Sequence, residues 1–143
     1  MPDLNLDEQA RREVILNATT IAIVGRSADH YYSSYQVGEY LEERGYTIFN
    51  VNPTIDQIDG EPSYAALSEV PGPIDIVDVF RRSEFLPGIV DEAIAVGAKT
   101  VWAQLGVFDV EARDKALAAG LNFAMDLCLR TEHERVVASL PKE

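Results

Sequence analysis

Thiols are almost missing from this chain. One cysteine, Cys128, excludes an internal disulfide framework. No apolar run is long enough to cross a bilayer, and no basic n-region followed by an apolar h-region stands at the start, so no signal peptide is visible. These absences predict a cytoplasmic protein. Positive charge is scarce too: 12 Lys and Arg stand against 24 Asp and Glu, a formal net charge of −12. That balance argues against non-specific binding to nucleic acid or to an anionic membrane surface. The two histidines, His30 and His133, belong to no cluster with metal-ligand spacing, so no metal site is expected. Internal repeats and low-complexity segments are also lacking. A length of 143 residues fits one domain, 1–143, with a core of its own.

What the chain does have is an alternation of strand-like and helix-like segments. Thr20 to Val24 is a short β-branched and apolar run that stops at Gly25, as a buried parallel strand does before a tight turn. An N-terminal helix is expected over Asn5 to Asn17, with Asn5 and Glu8 at capping-box spacing. After the first strand, a helix over Ser34 to Arg44 ends at Gly45, and a second strand covers Thr47 to Asn52. Residues Thr54 to Pro62 read as a loop and Ser63 to Glu69 as a short helix. A third strand spans Ile74 to Phe80, and Ser83 caps the helix behind it. Thr100 to Leu105 and Asn122 to Met125 form the fourth and fifth strands, with an Asp109-capped helix between them. Thr131 and Glu134 form a second capping-box pair that opens the last helix, 131–143. Right-handed βαβ crossovers then give an α/β, Rossmann-like, doubly wound parallel sheet of five strands in three layers, in the order 3-2-1-4-5. Ligands bind such sheets beyond the carboxyl ends of the strands, here at the crevice between strands 1 and 4.

Arginines gather at that edge. Arg26, Arg81, Arg82 and Arg130 all follow strand ends, four of the twelve basic residues of an acidic protein. A guanidinium cluster calls for anions, and phosphate suits its fork geometry. The ordinary nucleotide fingerprints are missing, however. Gly25-Arg26-Ser27-Ala28-Asp29-His30 lacks the second and third glycines of G-x-G-x-x-G, and Asn50-Val51-Asn52-Pro53 ends its strand without a carboxylate for a ribose. No G-x-x-x-x-G-K-[ST] loop occurs either.

Several segments carry a family resemblance: Ile21-Ala22-Ile23-Val24-Gly25 with Ser27, Gly45-Tyr46 leading to Val51-Asn52-Pro53, and Ile74-Asp75-Ile76-Val77-Asp78-Val79-Phe80-Arg81-Arg82. Val101-Trp102-Ala103-Gln104-Leu105-Gly106, Met125-Asp126 with Cys128-Leu129, and Glu132-His133 complete the set. In this order and spacing the chain resembles the small stand-alone CoA-binding proteins related to the N-terminal CoA-binding domain of the succinyl-CoA synthetase α-subunit. The resemblance implies coenzyme A or an acyl-CoA as the ligand. It implies that Gly25, Arg26 and Ser27 meet the pyrophosphate and that Ser34 and Tyr35 add hydroxyl donors. It places Asn52 and Pro53 on the adenosine side, Val79, Phe80, Arg81 and Arg82 beside the adenine or pantetheine, and Gln104 and Gly106 where the crevice closes. Two departures remove cations that many relatives carry: Tyr31-Tyr32-Ser33 stands in the loop before the helix, and Leu127 lies between Asp126 and Cys128.

Other residues keep two readings. Cys128 is either a small buried residue or a thiol able to form a mixed disulfide with the ligand. Tyr31, Tyr32 and Tyr35 either stack on an adenine or form an interaction surface. His133 reads as a structural hydrogen-bonding residue, and Trp102 as core. No catalytic constellation is visible, which favours a binding protein that senses, carries or is regulated by CoA. The alternatives are a CoA-binding subunit of a larger acyl-CoA synthetase and an interaction module with a degenerate nucleotide pocket. A homo-oligomer or a synthetase partner would fit the first two.

Overall fold

The structure, a computed structural model, describes residues 2–141. Fourteen elements follow one another as α1 (Glu8–Asn17), β1 (Thr20–Val24), α2 (Ser33–Glu43), β2 (Thr47–Val51), β3 (Gln57–Ile58), β4 (Glu61–Tyr64), a 3-10 turn (Leu67–Glu69), β5 (Ile76–Val79), a second 3-10 turn (Ser83–Phe85), α3 (Leu86–Ala95), β6 (Thr100–Ala103), α4 (Val110–Ala118), β7 (Asn122–Ala124) and α5 (Leu129–Ala138). The strands form one sheet in the order β3-β4-β2-β1-β5-β6-β7, parallel throughout except for the β3–β4 hairpin.

The central strands are apolar on both faces because helices cover both. Side chains alternate between faces with period two. Ala22, Val24, Val77, Val79, Val101 and Ala103 pack with Leu86, Val90, Ala112 and Ala116 of α3 and α4. Ile21, Ile23, Ile76 and Trp102 pack with Ile15, Val37, Leu41 and Leu129 of α1, α2 and α5. The result is the three-layer, doubly wound arrangement expected from the alternation of elements.

The sheet has seven strands, not five. The segment read as a loop and a short helix holds β3 and β4, and only Leu67–Glu69 turns helically. β4 reads Glu61-Pro62-Ser63-Tyr64, with no alternation to betray it; it becomes a strand by pairing with β2, Asn50 opposite Ser63 and Val51 opposite Tyr64. β4 takes the third place in the parallel order, so the parallel strands run 3-2-1-4-5-6. The Ile74–Phe80 segment therefore lies directly beside β1, with Ile21 opposite Ile76, rather than outside β2. The crevice accordingly opens between the carboxyl ends of β1 and β5.

Helix starts also differ in places. Asp7, not Asn5, caps α1 by accepting from Ala10 N at 2.9 Å, while Asn5 bridges to the Met125 backbone through two hydrogen bonds. Asp109 caps α4 as expected. α5 begins at Leu129, so Thr131 falls inside its first turn and caps nothing. Ser83 does not cap α3; its Oγ accepts from Phe108 N at 3.0 Å and donates to Gly106 O at 3.4 Å. No helix among the described residues is long and apolar enough to cross a membrane.

Candidate functional site

Two adjoining clefts open at the carboxyl edge. One, of about 320 Å³, is lined by Gly25, Ser27, Tyr32, Ser33, Ser34 and Phe80. The other, of about 420 Å³, is lined by Ser33, Phe80, Arg81, Arg82, Gln104, Leu105, Gly106, Val107 and Cys128. Ser33 and Phe80 belong to both, which makes them one continuous trough.

The first cleft is a turn facing a helix end. Gly25 has φ +89°, and its N–H donates to Val51 O at 2.8 Å. A Cβ at Gly25 would lie 2.5 Å from Phe80 O and 2.9 Å from Arg81 Cδ, so only glycine allows this approach of the β1 and β5 ends. α2 begins at Ser33 with no side-chain cap. Tyr35 N and Gln36 N both donate to Tyr32 O at 3.1 Å, while Ser33 N and Ser34 N have no partner among the described residues and are open to an anion. Ser27 N donates to Ser34 Oγ at 3.0 Å, and Ser27 Oγ accepts from Asp29 N at 2.9 Å. These bonds fix the loop against α2.

Arg26 is not on the rim, contrary to its position in the sequence. It is 3% exposed, with its guanidinium donating to Glu42 Oε1 at 2.8 Å, Asn50 Oδ1 at 2.9 Å and Tyr35 O at 3.2 Å. Gly38 makes this possible, because a Cβ there would lie 2.5 Å from the guanidinium carbon. Only the Arg26 backbone remains at the edge. Tyr35 is likewise turned inward: its hydroxyl donates to Asp59, a bond that together with burial pushes it up to about 12. His30 stacks on Tyr35 with centroids 4.0 Å apart and pairs with Asp59 at 2.9 Å. Loop, helix and β3–β4 hairpin are thus joined at one corner, and hydrogen bonds from Tyr35 and His30 hold the Asp59 carboxyl below its usual range.

The remaining expected residues divide. Asn52 donates to Arg26 O at 3.1 Å and accepts from Thr54, bracing the turn after β2, and Pro53 beside it is exposed. Val79 is fully buried in the α3–α4 core layer and borders no cleft, because the period-two alternation turns it away from the face of Asp78. Phe80 lines both clefts. Arg81 lies over the Phe85 ring at 4.3 Å, and it alone of the four edge arginines has no carboxylate within salt-bridge distance among the described residues. Arg82 pairs with Glu84 at 3.3 Å. Arg130 stands 3.9 Å from Glu134 and covers the Tyr40 ring, away from the trough. Gln104 is buried; it donates to Asp78 and accepts from Leu129 N at 3.4 Å. Gly106 N donates to Asp126 Oδ1 at 2.8 Å.

Ser33, Leu105 and Val107 line the trough although the sequence did not single them out; the start of α2 one residue earlier than expected would have flagged Ser33. Asp78, beneath Gln104, is fully buried, and its Oδ2 has no hydrogen-bond partner among the described residues. Burial pushes this carboxyl up to about 7, against a smaller opposing effect of the Gln104 hydrogen bond. His133 is buried against Tyr40, whose hydroxyl lies 2.8 Å from Nδ1, and burial lowers its pKa. Trp102 is core, its Nε1 donating to Leu127 O. Cys128 is half-buried at the start of α5. Among the described residues no group of three or more His, Cys, Asp and Glu is arranged to hold a metal ion.

Comparisons with known proteins give the family and the fold of the chain. The family described as "CoA binding domain" matches residues 19–134. The uncharacterized protein YneT of Bacillus subtilis (strain 168) is 40% identical over 122 residues, covering 85% of this chain and 90% of YneT. The solved structure of a hypothetical protein from Pyrococcus horikoshii OT3 superimposes with a TM-score of 0.89 at 34% identity, over 96% of both chains. The α-subunit of acetate–CoA ligase (ADP-forming) II from Pyrococcus furiosus is 27% identical over 90 residues, which cover 62% of this chain and 20% of that subunit.

Proposed function

The chain belongs to the CoA binding domain family, and from that premise we propose that it binds coenzyme A or an acyl-CoA along the trough at the carboxyl edge. The observation that carries the reading is the uncapped start of α2 facing the Gly25 turn, with Arg81 the edge guanidinium that has no carboxylate partner among the described residues. These groups suit a diphosphate: Ser33 and Ser34 N–H point their dipole at it, and Arg81 adds a full charge. The backbone of Gly25–Ser27 forms the facing wall. The adenosine lies toward Asn52 and Pro53, where no acidic side chain ends β2, so a ribose phosphate meets no carboxylate on that strand end. The pantetheine crosses Phe80 toward Gln104 and Gly106. Tyr35 and the Arg26 guanidinium act behind this surface, as the scaffold of the loop.

The chain acts here as a binding module that senses, carries or is regulated by its ligand. The relation to the acetate–CoA ligase subunit supports a second reading, a CoA-binding component of a larger ligase, since this chain matches only a fifth of that subunit.

Titration calorimetry with CoA, NAD and ATP tests the ligand. CoA is expected to bind, and NAD and ATP at least about tenfold more weakly, because they lack the pantetheine arm. Arg81→Ala is expected to weaken CoA about 10- to 100-fold, the loss of a charge-assisted contact of about 1.5–3 kcal/mol. No heat with CoA, or tighter binding of NAD, overturns the reading.

A further inference from the structure

One polar group beneath the trough serves no purpose in the packing around it. Asp78 is fully buried on β5, with Ile23 and Trp102 as its cross-strand partners and Ile76 before it on the same face. Its Oδ1 accepts from Gln104 Nε2, and its Oδ2 has no hydrogen-bond partner among the described residues. An apolar side chain would leave no oxygen unpartnered there, so the carboxyl is kept at the expense of stability. What it touches is Gln104, and Gln104 lines the second cleft. Phe80, two residues beyond Asp78 and packed in the same layer, lines both clefts.

The Gln104 amide is held at both ends. Leu129 N, the first N–H of α5, can only donate, so the atom 3.4 Å from it must be the amide oxygen. The amide nitrogen then faces Asp78 Oδ1, which accepts in either charge state of the carboxyl. A reversed amide would set its NH2 group against the Leu129 N–H, donor against donor. Asp78 and the start of α5 together therefore fix which end of the amide lies where. Each bond uses one hydrogen of Nε2 and one lone pair of Oε1, and leaves one of each. Gln104 is 4% exposed, so the cleft meets a fixed edge and not a swinging side chain. Arg81 and Arg82 line the same cleft, and their fork of charged donors suits phosphate. The pantetheine arm is neutral there and carries two amides, whose carbonyls are matched by a neutral N–H.

We infer that Asp78 is a positioning residue: it holds the nitrogen of the Gln104 amide in place, so that the spare Nε2 hydrogen donates to an amide carbonyl of the pantetheine arm. This rests on the CoA reading above. Calorimetry with CoA and with 3′-phospho-ADP, the nucleotide half of CoA without the arm, tests it. Gln104→Leu and Asp78→Ala are each expected to weaken CoA about three- to tenfold, the worth of a neutral hydrogen bond, and to leave 3′-phospho-ADP within about twofold. Asp78→Asn, which still offers Nε2 an acceptor, is expected to rescue CoA binding to within about twofold of wild type. A side chain that only packs would move both ligands together and would not tell Asn from Ala. Asp78→Val takes the place of Asp78→Ala if the latter does not fold. The Gln104 side-chain NH2 signals in the NMR spectrum of the wild type, assigned by their loss in Gln104→Leu, need no change at Asp78: CoA is expected to shift them and 3′-phospho-ADP to leave them in place. Equal weakening of both ligands, undiminished CoA binding in Gln104→Leu, equal losses in Asp78→Asn and Asp78→Ala, or NH2 signals that CoA does not move overturn the inference and leave the CoA reading standing. No binding of CoA by the wild type overturns both.

Discussion

Asp78 shows how much a single buried side chain can contribute to the behaviour of this protein. It sits on a central strand with no cation beside it, and burial raises it to about 7. Below about pH 4 the carboxyl is neutral in folded and unfolded chains alike. Between about 4 and 7 the unfolded chain gives up a proton that the folded chain keeps, so stability falls as pH rises across that window, by up to about 1.4 kcal/mol per pH unit, and levels off above it. Asp78→Asn removes that slope. Urea denaturation of both proteins across the window is expected to show wild type losing stability relative to the variant; a difference independent of pH would contradict the assignment. Arg26 teaches a different lesson at the same scale. Its place after β1 is legible in the sequence, but the direction of its side chain depends on the missing Cβ of Gly38 and on Glu42 and Asn50. Those partners lie 12 to 24 residues away, and no local pattern announces them.

At the scale of elements, local chemistry is a good guide where one residue meets its own neighbours and a poor one elsewhere. Asp109 accepts from Ala112 N at 2.8 Å and stops the strand-to-helix loop where it stands. Asp109→Ala is expected to cost about 1 kcal/mol, the usual worth of such a cap. Thr131 has the same kind of spacing to Glu134 but lies inside α5, exposed, so Thr131→Ala is expected to stay within about 0.5 kcal/mol. Chemical denaturation of the two variants side by side distinguishes a cap from its imitation, and equal losses would show that α5 starts later in solution. β4 is the opposite case. Glu61-Pro62-Ser63-Tyr64 has little strand character of its own and exists because β2 offers it an edge. Its placement decides which strands flank β1, and so where the crevice lies.

For the molecule as a whole, the net charge of −12 is the dominant long-range term. The ion pairs are mostly exposed and individually worth little. Self-repulsion therefore weakens the folded state, and salt relieves it. Calorimetric Tm is expected to rise between about 20 and 200 mM NaCl, as the Debye length shortens to about 8 Å or less; a fall would mean that ion pairing outweighs repulsion. Buried apolar runs, the glycine that ends the first of them, the alternation of periods and the excess of acid are properties of neighbouring residues, and the sequence alone determined from them the layered α/β architecture. The third parallel strand, the neighbour of β1, the inward turn of Arg26 and the exposure of Leu105 were decided only by the tertiary structure. Each depends on which distant backbone supplies a hydrogen-bond partner and on which distant side chain leaves room, and separation along the chain hides both.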